Sequence, residues 1–397
     1  MNIVIDRFRK AGREAYIVGG AVRDAFLNRP VKDWDVATAT PRDTIRQLFD
    51  DKTCVALKHD TVTVVIDGEP IQITPFRGSK KRLRSDLSHR DFTVNAMAVD
   101  PQTQRLIDPH NGYGDLRDKR IRAVGSPSAR FREDPARLVR AVRLQSELNF
   151  RIDAQTLTAI PQMADWIRAV SPERIRDELI KILLTQRPSR AFHIMRTTGL
   201  IARLIPELLE GHLLRQNRHH QHTVLKHTLM TVDRVPPDPV LRLSALFHDI
   251  AKPRIRTKAG GDWRFYGHEK ASARMAESIL KRLKFSNETI RITAHLITHH
   301  LIDYTPRWTD AAIRRFIRRV GEEHIPSLLS LRKADLTTHS QSASALKRLK
   351  TLEKRIEAQI RSHPPMGLED LCIDGHRVMA ETGLPRPGNR PDTEQSN

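Results

Sequence analysis

The spacing of apolar residues changes near residue 120, and this change limits the folds open to the chain. Before that point, short apolar runs typical of strands, at residues 16–18, 34–38, 62–66 and 71–74, alternate with helical patterns at 21–27 and 41–49. Asp67-Gly68, between the last two runs, is a hairpin turn signal. From about residue 121 to about residue 384 the pattern is helical. The sequence therefore predicts an α+β fold, with an α/β head followed by all-α domains.

Two features of the head point to phosphate and metal chemistry. Gly19-Gly20 ends the first apolar run, and residues without Cβ let a phosphate approach the backbone. Asp33 and Asp35 lie two residues apart in a strand-like run, so both side chains are expected on one face. Paired carboxylates repel unless a cation lies between them, and Mg²⁺ with substrate phosphates fits this need. The alternative is a surface turn followed by a polar edge strand.

The surrounding motifs resemble one family. "GGAVRD" (19–24) and "KDWDVAT" (32–38) resemble the head motif of the class II tRNA nucleotidyltransferase and bacterial poly(A) polymerase family. Four later segments resemble that family's further motifs in the same order, namely "HRDFTVNAMAVD" (89–100), "LIDPHNGYGDL" (106–116), "FREDPARLVRAVR" (131–143) and "SPERIRDELIKILL" (171–184). The resemblance implies a polymerase-beta-like nucleotidyltransferase head in which Asp33 and Asp35 are catalytic Mg²⁺ ligands. It also implies CTP, ATP and the tRNA 3′ end as partners.

The resemblance also assigns nucleotide-binding residues. Arg90, Asp91 and Asn95 are implied in ribose and triphosphate recognition, with a capped helix and salt bridge as the alternative. Asp134 and Arg137, at i and i+3, are expected on one face of a helix, where they would read the base edge. A surface ion pair has the same spacing. The complete expected set is Gly19, Gly20, Arg23, Asp24, Arg90, Asp91, Asn95, Asp134, Arg137 and Arg140. The helix at residues 173–184 is expected to brace the base-reading helix without touching substrate.

Two departures from the family pattern affect the expected reaction. Gln72 occupies a position where relatives often place a carboxylate. The segment between Phe76-Arg77 and Arg90-Asp91 is shorter than the flexible loop usual in the family. Within the family, a shortened loop is associated with enzymes that add CC but not the final A.

The C-terminal half contains a second set of candidate ligands. His248-Asp249 follows an apolar run at 241–247, and further His and Asp residues occur on other predicted helices, a pattern that suits transition divalents. The set resembles the HD phosphohydrolase superfamily, which is all-helical and metal-dependent. The resemblance implies four core ligands, His227, His248, Asp249 and Asp335. His268 and either His299 or His300 are candidates for a second ion. The expected metal is Mn, Ni, Co, Fe or Mg²⁺.

The charge of the chain favours a polyanionic partner. The formal net charge is +21 and the sequence pI is near 10.5, which favours nucleic acid. Basic clusters occur at residues 80–84, 314–319 and 347–355. Only Cys54 and Cys372 are present, and no apolar run has membrane-spanning length. A cytoplasmic protein without a membrane partner is therefore expected, and the oligomeric state stays open.

Three functions remain at this point. The first is a tRNA nucleotidyltransferase adding C, or C and A. The second is a poly(A) polymerase, and the third is an HD phosphohydrolase whose head binds RNA. The expected domains are a catalytic head at 1–118, a helical neck and body at 119–215, an HD domain at 216–345, a C-terminal helical segment at 346–385 and a disordered tail at 386–397.

Overall fold

The fold of the chain is α+β, as predicted. The computed structural model describes residues 1–31, 33–56, 60–78, 82–216, 222–259, 262–338 and 342–362. The predicted disordered tail, Cys372 and two lysines of the first basic cluster, Lys80 and Lys81, lie outside the described residues. In the part that is described, no helix is both long and apolar enough to cross a membrane.

The head is built on one sheet flanked by short helices. Its elements are α1 (Asn2–Lys10), β1 (Ala15–Val18), α2 (Gly20–Phe26), β2 (Trp34–Thr38), α3 (Arg42–Leu48), β3 (Thr53–Ala56), β4 (Val62–Ile66), β5 (Glu69–Pro75), α4 (Leu83–Ser88), β6 (Ala98–Val99), β7 (Leu106–Ile107) and α5 (Gly112–Arg117). The strand order is β3-β4-β5-β2-β1-β6-β7, and only β2 and β5 pair in parallel. The four predicted strands are present, whereas β3, β6 and β7 were not predicted.

The hairpin between β4 and β5 follows the predicted turn. Asp67 has φ 53° and Gly68 has φ 81°, which is the positive-φ pair of a two-residue hairpin turn. Ile66 pairs with Glu69 at the end of the ladder. In this register the side chains of Val62, Val64 and Ile71 pack in the core of the head.

The middle of the chain is helical with one small sheet. Its elements are β8 (Arg120–Ile121), α6 (Pro127–Glu133), α7 (Arg137–Leu148), β9 (Arg151–Ile152), α8 (Ala154–Met163), α9 (Pro172–Leu183), α10 (Pro188–Thr197) and α11 (Leu200–Leu204). The strands β8 and β9 pair in parallel. Apolar residues of α7 and α9 share one buried cluster, and this packing sets α9 beside the residues that α7 presents to the head.

The C-terminal half is a helical domain with one hairpin. Its elements are α12 (Val224–Arg234), α13 (Pro239–Phe247), α14 (Lys252–Ile255), β10 (Thr257–Ala259), β11 (Asp262–Arg264), α15 (His268–Arg282), α16 (Asn287–His299), α17 (Asp310–Val320), α18 (Ile325–Leu336) and α19 (Ser342–Arg361). The prediction of uninterrupted helix from about residue 121 was wrong at β9, and again at β10 and β11, which pair antiparallel. The apolar helix α13 packs against α12, α16 and α18, so His248 at its C-terminus lies at the centre of the domain.

Candidate active site and second metal centre

A cavity of about 940 Å³ lies between the head sheet and helices α6, α7 and α9. It collects most of the residues expected at the nucleotide site, which are Gly19, Gly20, Asp33, Asp35, Arg90, Asp91, Asn95, Asp134, Arg137 and Arg140. The sequence did not point to a further group of lining residues, which are Asp60, Thr61, Arg77, Glu133, Arg174 and Lys181. Gln72 also lines the cavity.

The two head carboxylates lie where β1 meets β2. Asp33 directly precedes β2, and Asp35 within it pairs with Val18 of β1 and Gln72 of β5. Gly19 has φ +72°, and a Cβ there would lie 2.8 Å from an Arg90 guanidinium nitrogen and 3.1 Å from Asp35 Oδ2. Only glycine fits this close approach without strain.

The environment of Asp35 fits a bound cation. Burial raises the pKa of the Asp35 carboxyl, Asp33 adds to the rise, and Arg90 and Arg77 oppose it. Among the described residues, Asp35 accepts no hydrogen bond. A partly buried carboxylate beside a second carboxylate, without a hydrogen-bond donor, is an arrangement that a divalent ion relieves.

Asp91 organises the side of the cavity assigned to the ribose. Its Oδ1 accepts hydrogen bonds from the Phe92 backbone N–H at 2.7 Å and Asn95 Nδ2 at 3.1 Å, and its Oδ2 accepts one from Arg140 at 3.2 Å. Burial would raise the pKa of Asp91, but Arg140 and these hydrogen bonds hold it below the usual value. The carboxylate is therefore ionised at neutral pH.

Arg23 and Asp24 do not line the cavity with the other expected nucleotide ligands. Arg23 donates two hydrogen bonds to Asp24, at 3.0 and 2.9 Å, and a third to Asn95 Oδ1 at 2.8 Å. This contact holds the Asn95 amide with its nitrogen towards Asp91. Arg23 and Asp24 therefore contribute to the cavity indirectly, by orienting the side chain of Asn95.

Asp86 fixes the arginines beside the head carboxylates and was not predicted. It is buried, accepts a hydrogen bond from Arg90 Nε at 3.1 Å, and accepts another from the Arg77 backbone N–H at 3.2 Å. Both arginines line the cavity. Asp86 lies on α4, so this short helix ties the segment between Arg77 and Arg90 to the site.

The expectation that Asp134 and Arg137 share one continuous helix was wrong. Helix α6 ends at Glu133, Asp134 is extended with φ −149° and ψ 98°, and α7 begins at Arg137. Asp134 precedes Pro135, and a residue before proline is driven out of the helical region by steric clash. Both side chains nevertheless line the same cavity. Arg137 is held by Glu133 at 3.1 Å and by the His89 carbonyl at 2.8 Å.

Helix α9 both braces α7 and reaches the cavity. Glu178 accepts hydrogen bonds from Arg140 Nε at 3.1 Å and Arg143 Nε at 2.7 Å, which is the bracing that was predicted. Arg174 and Lys181, however, line the cavity, and Arg174 donates to Asp134 Oδ2 at 2.7 Å. Arg174, Glu178 and Lys181 lie at i, i+4 and i+7, so they share one face of the helix. This spacing was a signal available in the sequence.

The candidate ligands of the C-terminal half converge at a buried site. His248, His268 and His300 direct Nδ1 to the backbone carbonyls of residues 245, 265 and 297, at 2.9, 2.8 and 2.7 Å. His227 Nδ1 contacts Thr338 Oγ1 at 2.6 Å. An Nδ1 hydrogen bond to a fixed partner orients imidazole for metal binding through Nε2.

Two groups of ligand atoms form around Asp249. His227, His248 and Asp335 form one group, and Asp249, His268 and His300 form the other; within each, the ligand atoms lie within 4.8 Å of one another. Asp249 Oδ2 lies 3.3 Å from both His227 Nε2 and His248 Nε2, while Asp249 Oδ1 lies 3.2 Å from His268 Nε2. Asp249 therefore lies between the two groups.

The buried atoms of this site fit a divalent ion. Asp249 Oδ1 and His268 Nε2 lie 3.2 Å apart but are not aligned for a hydrogen bond. Neither atom has a hydrogen-bond partner among the described residues. Burial lowers the pKa of His300 to about 3, with His248 adding to the effect, so its imidazole is neutral and able to bind metal. Between His299 and His300, the structure places His300 in the group; His299 packs instead on the ring of His295.

Two cations beside this site were not predicted. Lys252 donates to Asp249 Oδ2 at 2.6 Å and to Gln216 at 2.9 Å, and Arg332 donates to Asp335 Oδ2 at 2.7 Å. Both line a cavity of about 370 Å³ that opens onto the metal ligands. The cations therefore lie where a phosphate group entering that cavity would meet them.

Comparisons with known proteins agree with this arrangement. Residues 15–122 match the poly A polymerase head domain, residues 149–211 match the probable RNA and SrmB-binding site of polymerase A, and residues 193–339 match the HD domain. Nucleotidyltransferase heads and HD domains generally use divalent metals, which is consistent with both candidate centres.

Curated relatives and solved structures extend the likeness. The CCA-adding enzyme of Lactobacillus johnsonii is 40% identical over 211 residues, which is 50% of this chain and 53% of that protein. The CCA-adding enzyme of Enterococcus faecalis is 40% identical over 195 residues, which is 46% of this chain and 48% of that protein. The chain spans about half the length of the curated relatives it matches.

The structure of the Bacillus stearothermophilus CCA-adding enzyme in complex with CTP matches with a TM-score of 0.70 and 27% identity, covering 96% of this chain and 87% of that one. The Thermotoga maritima CCA-adding enzyme complexed with tRNA_CCA has the same fold, with a TM-score of 0.56 and 19% identity, over 95% of this chain and 84% of that one. The chain therefore carries a match to the poly A polymerase head domain, followed by an RNA-binding region and an HD domain, and its fold is similar to that of a CCA-adding enzyme over almost its whole length.

Proposed function

We propose that the chain is a tRNA nucleotidyltransferase that adds C, or C and A, to the tRNA 3′ end from CTP and ATP without a nucleic-acid template. The observation that carries this proposal is that one cavity contains two kinds of functional group, a pair of candidate metal-binding carboxylates and a candidate base-reading pair. The carboxylates Asp33 and Asp35 lie on one wall, and the base-reading pair Asp134 and Arg137 lies on another. Solved structures of similar proteins in complex with CTP and with tRNA support the choice of substrates.

The head residues bind the triphosphate and the attacking hydroxyl. Asp33 and Asp35 would hold Mg²⁺, which when bound polarises the α-phosphorus and lowers the pKa of the primer 3′-hydroxyl for in-line attack. Gly19 leaves room for the phosphates, and Arg90 and Arg77 oppose their charge. Asp91 and Asn95 present an acceptor and an amide to the ribose hydroxyls. Pyrophosphate then leaves.

Base choice follows from the hydrogen-bonding pattern of two side chains. An ionised Asp134 accepts a hydrogen bond from the exocyclic amine of cytosine or adenine, and Arg137 donates to the ring acceptor beside it. Uracil and guanine present a carbonyl and a ring N–H at these places, so both contacts become repulsive. One pair of residues therefore serves CTP and ATP without a template strand.

A single incubation separates the competing functions. The protein is given labelled CTP, ATP or UTP and a tRNA that lacks its 3′ CCA, with Asp35→Asn as the inactive control. Addition of a few C residues supports the proposal, and long A tracts from ATP alone would favour a poly(A) polymerase. Absence of any addition would favour a phosphohydrolase with an RNA-binding head.

A second activity is proposed for the HD domain, as a metal-dependent phosphohydrolase. The observation that favours it is the convergence of buried imidazoles on Asp249, with Asp249 Oδ1 and His268 Nε2 lacking partners. Imidazole with carboxylate suits Mn, Ni, Co or Fe, and Mg²⁺ is the alternative. Metal analysis of the purified chain, and phosphatase assays with each ion in an Asp35→Asn background, identify the metal and separate this activity from the head.

The domain boundaries remain proposals: a catalytic head at 1–118, a neck and body at 119–215, an HD domain at 216–345 and a C-terminal helical segment after it. A hydrogen bond from Arg176 of the body to the Lys284 carbonyl, at 2.6 Å, links the body to the HD domain. Limited proteolysis followed by mass spectrometry tests these boundaries.

A further inference from the structure

Arg174 contacts the carboxylate that is proposed to read the base. From α9, its guanidinium donates to Asp134 Oδ2 at 2.7 Å, across 40 residues of sequence. The other oxygen, Asp134 Oδ1, accepts a hydrogen bond from the Ala136 backbone N–H at 3.2 Å. Both oxygens of Asp134 are therefore held in place before any nucleotide binds.

We propose that Arg174 is a positioning residue that determines the rejection of UTP, by holding the Asp134 carboxylate in the orientation and charge state that accept a base amino group. This inference rests on the proposed nucleotidyltransferase function. It assigns to α9 a role in substrate choice in addition to bracing α7. The side chain of Arg174 is 51% exposed and that of Asp134 is 27% exposed, so a base can reach the pair from the cavity.

The charge of Asp134 decides which base it accepts. An ionised carboxylate has only acceptors, so it pairs with the cytosine amine and repels the uracil O4 carbonyl. A protonated carboxyl has an O–H that can donate to O4, and the discrimination against uracil at this position is then lost. A group that keeps Asp134 ionised therefore also keeps UTP out.

The charges around Asp134 make Arg174 the principal group of this kind. Burial raises the pKa of Asp134, while the hydrogen bond and charge of Arg174, the Ala136 N–H and the charge of Arg137 bring it below the usual value. Arg137 is itself paired with Glu133, which precedes Asp134 in the chain. Without Arg174, the effect of burial is opposed by the Ala136 N–H and the charge of Arg137 alone among these groups, so the pKa of Asp134 rises.

The experiment compares three variants of the full chain. Arg174→Gln removes the charge, Arg174→Lys keeps it, and Arg176→Gln is the matched control, because Arg176 lies on the same helix and contacts Asp177 and the Lys284 carbonyl instead of the cavity. The measured quantity is the ratio of kcat/KM for CTP to that for UTP, on a tRNA that lacks CCA, between about pH 5.5 and pH 8.

We expect the ratio to fall about 10-fold or more in Arg174→Gln, the effect of losing a hydrogen bond to a charged group. The loss should grow as the pH falls, because protonation of Asp134 then becomes accessible. Arg174→Lys should recover most of the ratio, and Arg176→Gln should match the parent chain. A role limited to bracing would lower both kcat/KM values equally and without pH dependence, and that result would overturn the inference.

Equilibrium binding of CTP and UTP without tRNA separates this inference from the proposed function. If no CMP is transferred to tRNA but the Arg174→Gln variant still loses discrimination in binding, the tRNA reaction is refuted and the role of Arg174 stands. If CMP is transferred normally and the CTP to UTP ratio of Arg174→Gln equals that of the parent chain at every pH, the role of Arg174 is refuted and the tRNA reaction stands.

Discussion

Replacing Asp35 by Asn should abolish turnover and yet stabilise the metal-free protein. In the absence of metal, Asp35 is a partly buried carboxylate beside Asp33, without a hydrogen-bond donor among the described residues. Burial and Asp33 raise its pKa. An acid with a raised pKa binds its proton more tightly in the folded state, so folding loses stability as the pH rises from the unfolded to the folded pKa. At neutral pH this full cost is present.

The size of the gain follows from the surroundings of the carboxylate. Isolating an ion inside a protein costs several kcal/mol, but Arg90 and Arg77 offset part of that cost here. We therefore expect Asp35→Asn to raise the free energy of unfolding by about 1–2 kcal/mol. Each kcal/mol corresponds to a rise in Tm of about 2–8 °C for domains of roughly 60 to 250 residues. Turnover should fall by orders of magnitude, since the amide supplies no ligand charge.

Thermal melts with EDTA and with Mg²⁺ test this prediction. With EDTA at neutral pH, Asp35→Asn should melt above the parent chain, and the difference should disappear as the pH falls below the ordinary carboxylate pKa. Mg²⁺ should raise the Tm of the parent chain much more than that of the variant. The control is Asp50→Asn, an exposed carboxylate of the same head. A variant that melts below the parent chain with EDTA, or that gains equally from Mg²⁺, would refute the reasoning.

The other predictions concern base choice, the HD domain and the terminal A. Arg137→Ala should lower the CTP to UTP ratio by about 10-fold or more without changing the Mg²⁺ response; an unchanged ratio would contradict the base-reading role. The double variant His248→Ala with Asp249→Ala should lose metal-dependent phosphatase activity and retain CMP addition. Persistent hydrolysis would mean that these residues are structural. A tRNA ending in CC should accept A from ATP slowly, because Asp86 anchors the short segment before Arg90; rapid conversion to CCA would overturn this.

The strands of the head show what sequence patterns can predict. The bounds of β2 and β4 match the prediction, because each is an apolar run flanked by turn residues. The strands β6 and β7 have two residues each and β10 has three exposed residues, so they carry no periodic signal. Their pairing depends on neighbours that are distant in sequence.

Helix α7 shows a signal that was present and not used. The sequence Asp134-Pro135 marks a break, because a residue before proline avoids the helical region. The i, i+3 spacing of Asp134 and Arg137 predicted that both side chains reach one site, and both line the same cavity, but they do not share a helix face. They meet there because a non-helical turn and a helix start bring them together.

The residues that sequence reasoning missed are polar groups whose burial is not visible in one sequence. Asp86 contacts Arg90, four residues on, and the backbone of Arg77, but only the fold shows that it is buried. Glu178 contacts Arg140 and Arg143, which lie far from it in sequence. A buried carboxylate and a surface carboxylate look identical in one sequence. Tertiary packing decides between them. It also places His300, and not the adjacent His299, among the candidate metal ligands.

The charges around the cavity explain why nucleotide and metal binding should depend on each other. The chain has a net charge of +21, yet the cavity is lined by six carboxylates and six cationic side chains. Several of these cations, such as Arg140 and Arg174, are already paired with carboxylates. A triphosphate carries several negative charges, and this nearly neutral lining cannot balance them. Divalent ions at Asp33 and Asp35 would supply the missing positive charge, while the excess positive charge of the chain lies outside the cavity, where the phosphates of a bound RNA can be neutralised.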